Sequence, residues 1–151
     1  MKKYHFLILL VILTSTFSYA QKSNYNQKKG FVAQGYDVVA YFDHEVKKGV
    51  NDFSTTHDGA KFRFSSAANL EKFKANPKKY VPQYGGWCAY AIGKNGKKVK
   101  INPETYEIRD GKLYLFYNAG STNTLEIWLK EGAEQLLKNA DKNWQKIITK
   151  N

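Results

Sequence analysis

Phe53-Ser54-Thr55-Thr56-His57-Asp58-Gly59-Ala60-Lys61-Phe62-Arg63-Phe64 is the stretch that decides the fold. Phe53 to His57 reads as a strand, and Asp58-Gly59 is a hairpin turn, because glycine accepts the positive φ that such turns demand. Lys61 to Phe64 returns, with Phe62 and Phe64 on one face by the two-residue period of a strand. Immediately afterwards Ser65 or Ser66 caps a helix in which Leu70 and Phe73 share a face. Asn76-Pro77 then restarts a short helical turn, with Asn as cap and Pro at the first helical position.

The same signals recur further out. Thr105–Ile108, Asp110-Gly111 and Lys112–Tyr117 predict a second hairpin. From about Ser121 the period becomes helical. Leu125, Trp128 and Leu129 share a face, and Leu136, Leu137, Ala140, Trp144, Ile147 and Ile148 continue it. Ser121 or Thr122 is the expected cap, and Gly132 breaks or bends the segment. On the N-terminal side, Val38–Phe42 predicts an extended run. Gly85-Gly86 turns the chain into Trp87–Ile92, which reads as a buried strand, and Gly93–Lys98 as a basic hairpin loop. The sum is an α+β domain: a small antiparallel sheet, a central short helix and C-terminal helices.

The 151 residues suit one domain. Lys2 and Lys3, the apolar run Phe6–Leu13 and the small residues Ser18 and Ala20 predict a signal peptide over residues 1–20, cut after Ala20. The protein is then expected to be periplasmic or secreted, with no transmembrane span in the mature chain. Loss of Lys2 and Lys3 leaves 22 basic against 13 acidic residues, a net charge of +9. Polar residues 21–30 predict a flexible lead-in, and residues 31–148 the domain. The basic excess is almost all lysine. With only Arg63 and Arg109, it argues against nucleic acid and leaves weak attraction to anionic surfaces open.

Candidate chemistry is sparse. A single cysteine, Cys88, excludes an intramolecular disulfide, a CxxC pair and a cysteine-rich metal site. No HExxH, P-loop or GxSxG occurs. Cys88 and His57 are the candidate ligands for a soft metal such as copper. Against them stand a small apolar core role for the thiol and a structural role for the imidazole at its hairpin end. His44, between Asp43 and Glu45, reads as surface. Tyr80, Tyr84, Trp87 and Tyr90, which Tyr36, Tyr41 and Tyr106 extend, read as core or as the lining of a ligand pocket.

Gly35–Phe42, Phe62-Arg63-Phe64-Ser65-Ser66, Asn69 with Phe73, Pro77 and Tyr80, and above all Pro82-Gln83-Tyr84-Gly85-Gly86-Trp87-Cys88-Ala89 resemble the exported YHS-domain proteins. Asp110–Leu115, Trp128 and Trp144 extend the resemblance over about residues 31–148. It singles out Tyr36, Asp37, Tyr41, Tyr84, Gly85, Gly86 and Trp87 as motif or pocket residues. YHS domains elsewhere accompany copper-transporting ATPases and some oxygenases, so the resemblance implies metal binding. Those forms often carry Phe-Cys-Ser-x-x-Cys, and here Ser65 and Asn69 stand where the cysteines would be. Three readings therefore stand: a non-enzymatic exported binding protein for copper or another soft metal, a metal-independent binding module with an aromatic pocket, and a Cys88-dependent enzyme or redox partner.

Overall fold

The computed structural model describes residues 23–150; the expected signal peptide lies outside them. The chain is α+β, with its strands in four two-stranded antiparallel ribbons. β1 (Gln27–Lys28) pairs with β2 (Phe31–Val32), and β3 (Val50–His57) with β4 (Ala60–Phe64). Helices α1 (Ala67–Ala75), α2 (Pro77–Tyr80) and α3 (Ala89–Asn95) follow. β5 (Asn102–Arg109) pairs with β6 (Lys112–Phe116), and β7 (Asn118–Ala119) with β8 (Thr122–Asn123). The chain closes with α4 (Thr124–Glu131) and α5 (Ala133–Thr149).

Both Asp-Gly hairpins form as expected, with positive φ at Asp58, Gly59, Asp110 and Gly111. Phe62 and Phe64 are buried together against Phe73 of α1, at ring separations of 4.8 and 5.0 Å. Ser66 caps α1 by accepting the Asn69 N–H. Pro77 opens α2, although the Asn76 side chain makes no capping bond. Two apolar clusters result. One joins β2, β4 and α1 to Tyr41, Leu113 and Leu115; the other gathers Tyr84, Ile92, Tyr114, Phe116 and Trp128 under α3, α4 and α5.

Four local expectations are corrected. Trp87–Ile92 is not a strand, since Ala89–Asn95 is helical. A short apolar run cannot be told from a buried helix by period alone, and the alanines favour helix. Gly93 seats this helix on α5: a Cβ there would stand 2.6 Å from the Leu136 carbonyl oxygen. The Gly93–Lys98 segment is accordingly the end of α3 and its left-handed Gly96 cap, not a hairpin loop. Val38–Phe42 is not extended either, because the Asp37 carboxylate accepts the Val39 and Ala40 N–H groups and tips the chain into a 3-10 turn over Ala40–Asp43. The cap of α4 is Asn123 rather than Ser121 or Thr122.

Residues 23–30 do not behave as a free lead-in. The Asn26 N–H bonds to the Gly85 carbonyl, Tyr25 packs edge-on against Phe62, and Lys28 pairs with Phe31. Gly132 breaks the C-terminal segment at φ 104°, as expected. It leaves Trp128 fully buried and Leu129 53% exposed, so Leu129 does not share the buried face. Among the described residues no helix is long and apolar enough to cross a membrane.

Candidate functional site

The motif residues separate into distinct places. Asp37 is fully buried and serves as a brace. Its Oδ1 accepts the backbone N–H groups of Val39 (2.9 Å) and Ala40 (3.2 Å). Its Oδ2 accepts the Ser65 N–H (2.8 Å), the Ser65 hydroxyl (2.6 Å) and the Asn69 side-chain amide (2.8 Å). One carboxylate thus ties the 3-10 turn to the start of α1. A carboxylate accepts at both oxygens, which suits five converging donors. Tyr41 is fully buried, and its hydroxyl donates to the Pro103 carbonyl at 2.6 Å. Burial raises its phenol far above the usual range. Tyr36 faces a separate cleft beside Lys48.

The residues do not fit a protein-held metal ion. Ser65 and Asn69, the positions at which the resemblance would place cysteines, are both spent as donors to Asp37. Cys88 has no exposed surface. The Thr124 hydroxyl donates its proton to the Tyr117 carbonyl at 2.7 Å, so the thiol is the donor in the 3.3 Å Cys88–Thr124 contact. The sulfur in turn accepts the Tyr117 N–H at 3.4 Å. These bonds pin the start of α3 to the residue that follows β6 and to the first residue of α4, and make Cys88 a satisfied core group. His57 packs edge-on against Phe73 and lies 3.2 Å from the Asp58 carboxylate. Among the described residues no three His, Cys, Asp or Glu side chains come together as a metal would require.

The aromatic set gives the more open geometry. Tyr84, Gly85 and Gly86 all have positive φ, a left-handed turn that is costly at tyrosine. Gly85 is confined there: a Cβ would stand 2.6 Å from the Asn24 carbonyl oxygen. The turn carries Tyr84 under α5, where its hydroxyl donates to Asp141 at 2.9 Å and its ring meets Trp144 edge-on at 6.1 Å. Burial first, and then the Asp141 bond, raise the Tyr84 phenol well above its ordinary value.

Beside these rings lies a groove of about 610 Å³, walled by Tyr25, Val81, Pro82, Tyr84, Trp144 and Ile148. A second hollow of about 370 Å³ adjoins it through Gln83, Tyr84 and Trp144. Trp87, a candidate for core or pocket lining, is not in the core. It is instead half-buried, with its indole N–H donating to the Asn24 carbonyl at 2.8 Å, so it backs the N-terminal segment. The Lys98 ammonium lies 5.9 Å from both the Trp87 and Trp144 ring centres.

Sequence reasoning found Tyr84 and Gly85 but not their partners. Tyr25 lay in the supposed lead-in, and Trp144 and Ile148 lay 60 or more positions away on the C-terminal helical stripe. The signal available was that stripe, which ends in Trp144, Ile147 and Ile148.

No curated protein and no solved structure matches the chain. Residues 41–84, which take in the β3–β4 hairpin, α1 and α2 and end at the tyrosine that opens the left-handed turn, match the family model of the YHS domain.

Proposed function

We propose that this is an exported, non-enzymatic binding module that takes a planar, largely apolar small molecule in the Tyr84–Trp144 groove without using a metal. The observation that carries the reading is the groove itself. It is concave, walled by aromatic and aliphatic side chains, and about 610 Å³ in volume. That falls within the range of roughly 300–1,000 Å³ usual for small-molecule sites. Indole and phenol faces supply stacking surface, and Asp58 and Gln83 at the wall supply polar contacts that orient a ligand.

Soft-metal binding through Cys88, with copper as the first ion to test, and Cys88-dependent redox chemistry both need an accessible thiol. Cys88 is buried and hydrogen-bonded. Export rests on the charged, apolar and small-residue segments of residues 1–20.

Calorimetric titration of chelator-treated protein with indole tests the binding claim. Saturable uptake by the wild type, reduced at least tenfold in Trp144→Ala, supports it. Uptake unaffected by that substitution, or absent from the wild type, overturns it. Intact-mass measurement of protein from the exported fraction tests the cut after Ala20. A mass retaining residues 1–20 contradicts it.

A further inference from the structure

A second cleft has a different chemistry and shares no lining residue with the groove. It has a volume of about 420 Å³ and lies between the β1–β2 turn, the Gly35–Tyr36 segment, β4 and the start of β5. Lys28, Lys29, Lys48 and Arg63 line it, with Glu104 as the single opposing carboxylate. A smaller hollow of about 250 Å³ continues from it through Lys28 and Gln34, and adds Lys100. Among the described residues none of the five cleft cations forms an ion pair, so the cleft concentrates unneutralised positive charge.

The backbone here is unusual as well. Ala33 and Gln34 have φ of 50° and 56°, a conformation that is costly for residues with a side chain and that gathers at binding sites. Gln34 is held in place at both ends of its amide: Nε2 donates to the Ile101 carbonyl at 2.7 Å, and Oε1 accepts from the Lys28 ammonium at 3.3 Å. Arg63 is equally fixed. Its guanidinium stacks on Phe31 at 4.5 Å, Nε donates to the Gly35 carbonyl and Nη1 to Asn51. Gly35 has to be glycine for this, because a Cβ would stand 2.4 Å from that guanidinium.

We propose that this cleft binds a small, soluble, multiply charged phosphate. The class follows from the donors. A planar carboxylate is best recognised by the two-pronged edge of a free guanidinium. In Arg63, Nε and one terminal nitrogen are already committed. What remains is a ring of flexible ammonium point charges, which suits tetrahedral groups whose oxygens project in several directions.

Calorimetric titration of the full mature chain at low salt, with inorganic pyrophosphate as the probe, tests the proposal. Citrate serves as the carboxylate comparison. The expected result is one pyrophosphate per chain, weakened about tenfold in Lys28→Gln/Lys48→Gln. In Lys78→Gln/Lys79→Gln, which removes equal charge outside the cleft, affinity should change by no more than about twofold. All four lysines are exposed, so both variants should keep the wild-type melting temperature. Equal or tighter binding of citrate overturns the phosphate assignment. Equal weakening in the two double variants, or no binding at all, overturns the site.

Discussion

Replacing Asp37 with Asn changes one atom and sets the brace against itself. Two donors meet Oδ1 and three meet Oδ2. An asparagine side chain has one acceptor oxygen, so its best orientation keeps the oxygen on Ser65 and Asn69. The new NH₂ then faces the Val39 and Ala40 N–H groups. Each buried donor left without an acceptor costs about 1–3 kcal/mol, so the two together cost about 2–6 kcal/mol. Domains of this size have roughly 5–15 kcal/mol in all, so the variant should fold but be severely weakened. Guanidinium denaturation reads this as a lower midpoint at unchanged slope. Ser65→Ala is the control. It leaves the carboxylate with four donors and should cost about 1 kcal/mol. An Asp37→Asn variant within about 0.5 kcal/mol of wild type would refute the reasoning, as would a Ser65→Ala loss of equal size.

Three further outcomes follow from the packing. Trp128→Ala should cost about 3–5 kcal/mol in the same assay, because the ring is fully buried and its indole N–H reaches Glu107. Trp87→Ala should cost less than half as much, since that ring is only half-buried; equal losses would mean the second core is misassigned. Cys88 should resist alkylation in the native protein and react at the rate of an open thiol once denatured, as mass spectrometry of timed quenches would reveal. Rapid native labelling would reinstate the thiol as a functional candidate. Burial raises the phenols of Tyr41, Tyr84 and Tyr114, the last to about 12. A phenol raised above its unfolded value near 10 favours the fold below that pH, and the gain disappears as pH climbs through the folded value. Stability should therefore fall between about pH 10 and 12, with phenolate absorbance rising alongside the loss of circular dichroism. Full ionisation near pH 10 in a still-folded chain would contradict the burial.

The sequence was most legible where one residue type decides a local conformation. The two Asp-Gly turns, the Ser66 cap, Pro77 at the start of α2 and the break at Gly132 needed no tertiary information. It misled where a side-chain or tertiary contact overrides the preference of the segment itself. Val38–Phe42 is β-prone by composition, yet a carboxylate one residue earlier folds it into a turn. The apolar run Trp87–Ile92 is too short and too uniform to show a period, and the helical state of Ala89–Asn95 is secured by α5 across Gly93. Half of the candidate groove was visible as the Tyr84-Gly85-Gly86 motif. The other half, Tyr25 and Trp144, comes from opposite ends of the domain, and no spacing rule links residues so far apart. The charged cleft was hidden for the same reason: Lys28, Lys48, Arg63 and Lys100 look like separate loop lysines and a strand arginine until the fold brings them side by side.

The central claim is that the Tyr84–Trp144 groove is a ligand site that works without metal. Nitrogen–proton correlation spectra of chelator-treated, isotope-labelled protein, recorded as indole is added, test it most directly. The account predicts saturable shifts of the Trp144 indole N–H and the Gln83, Tyr84 and Gly85 amides, with the Trp128 indole N–H, deep in the second core, unmoved. Shifts that appear only after copper is supplied, or that leave Trp144 and Tyr84 untouched, would contradict it.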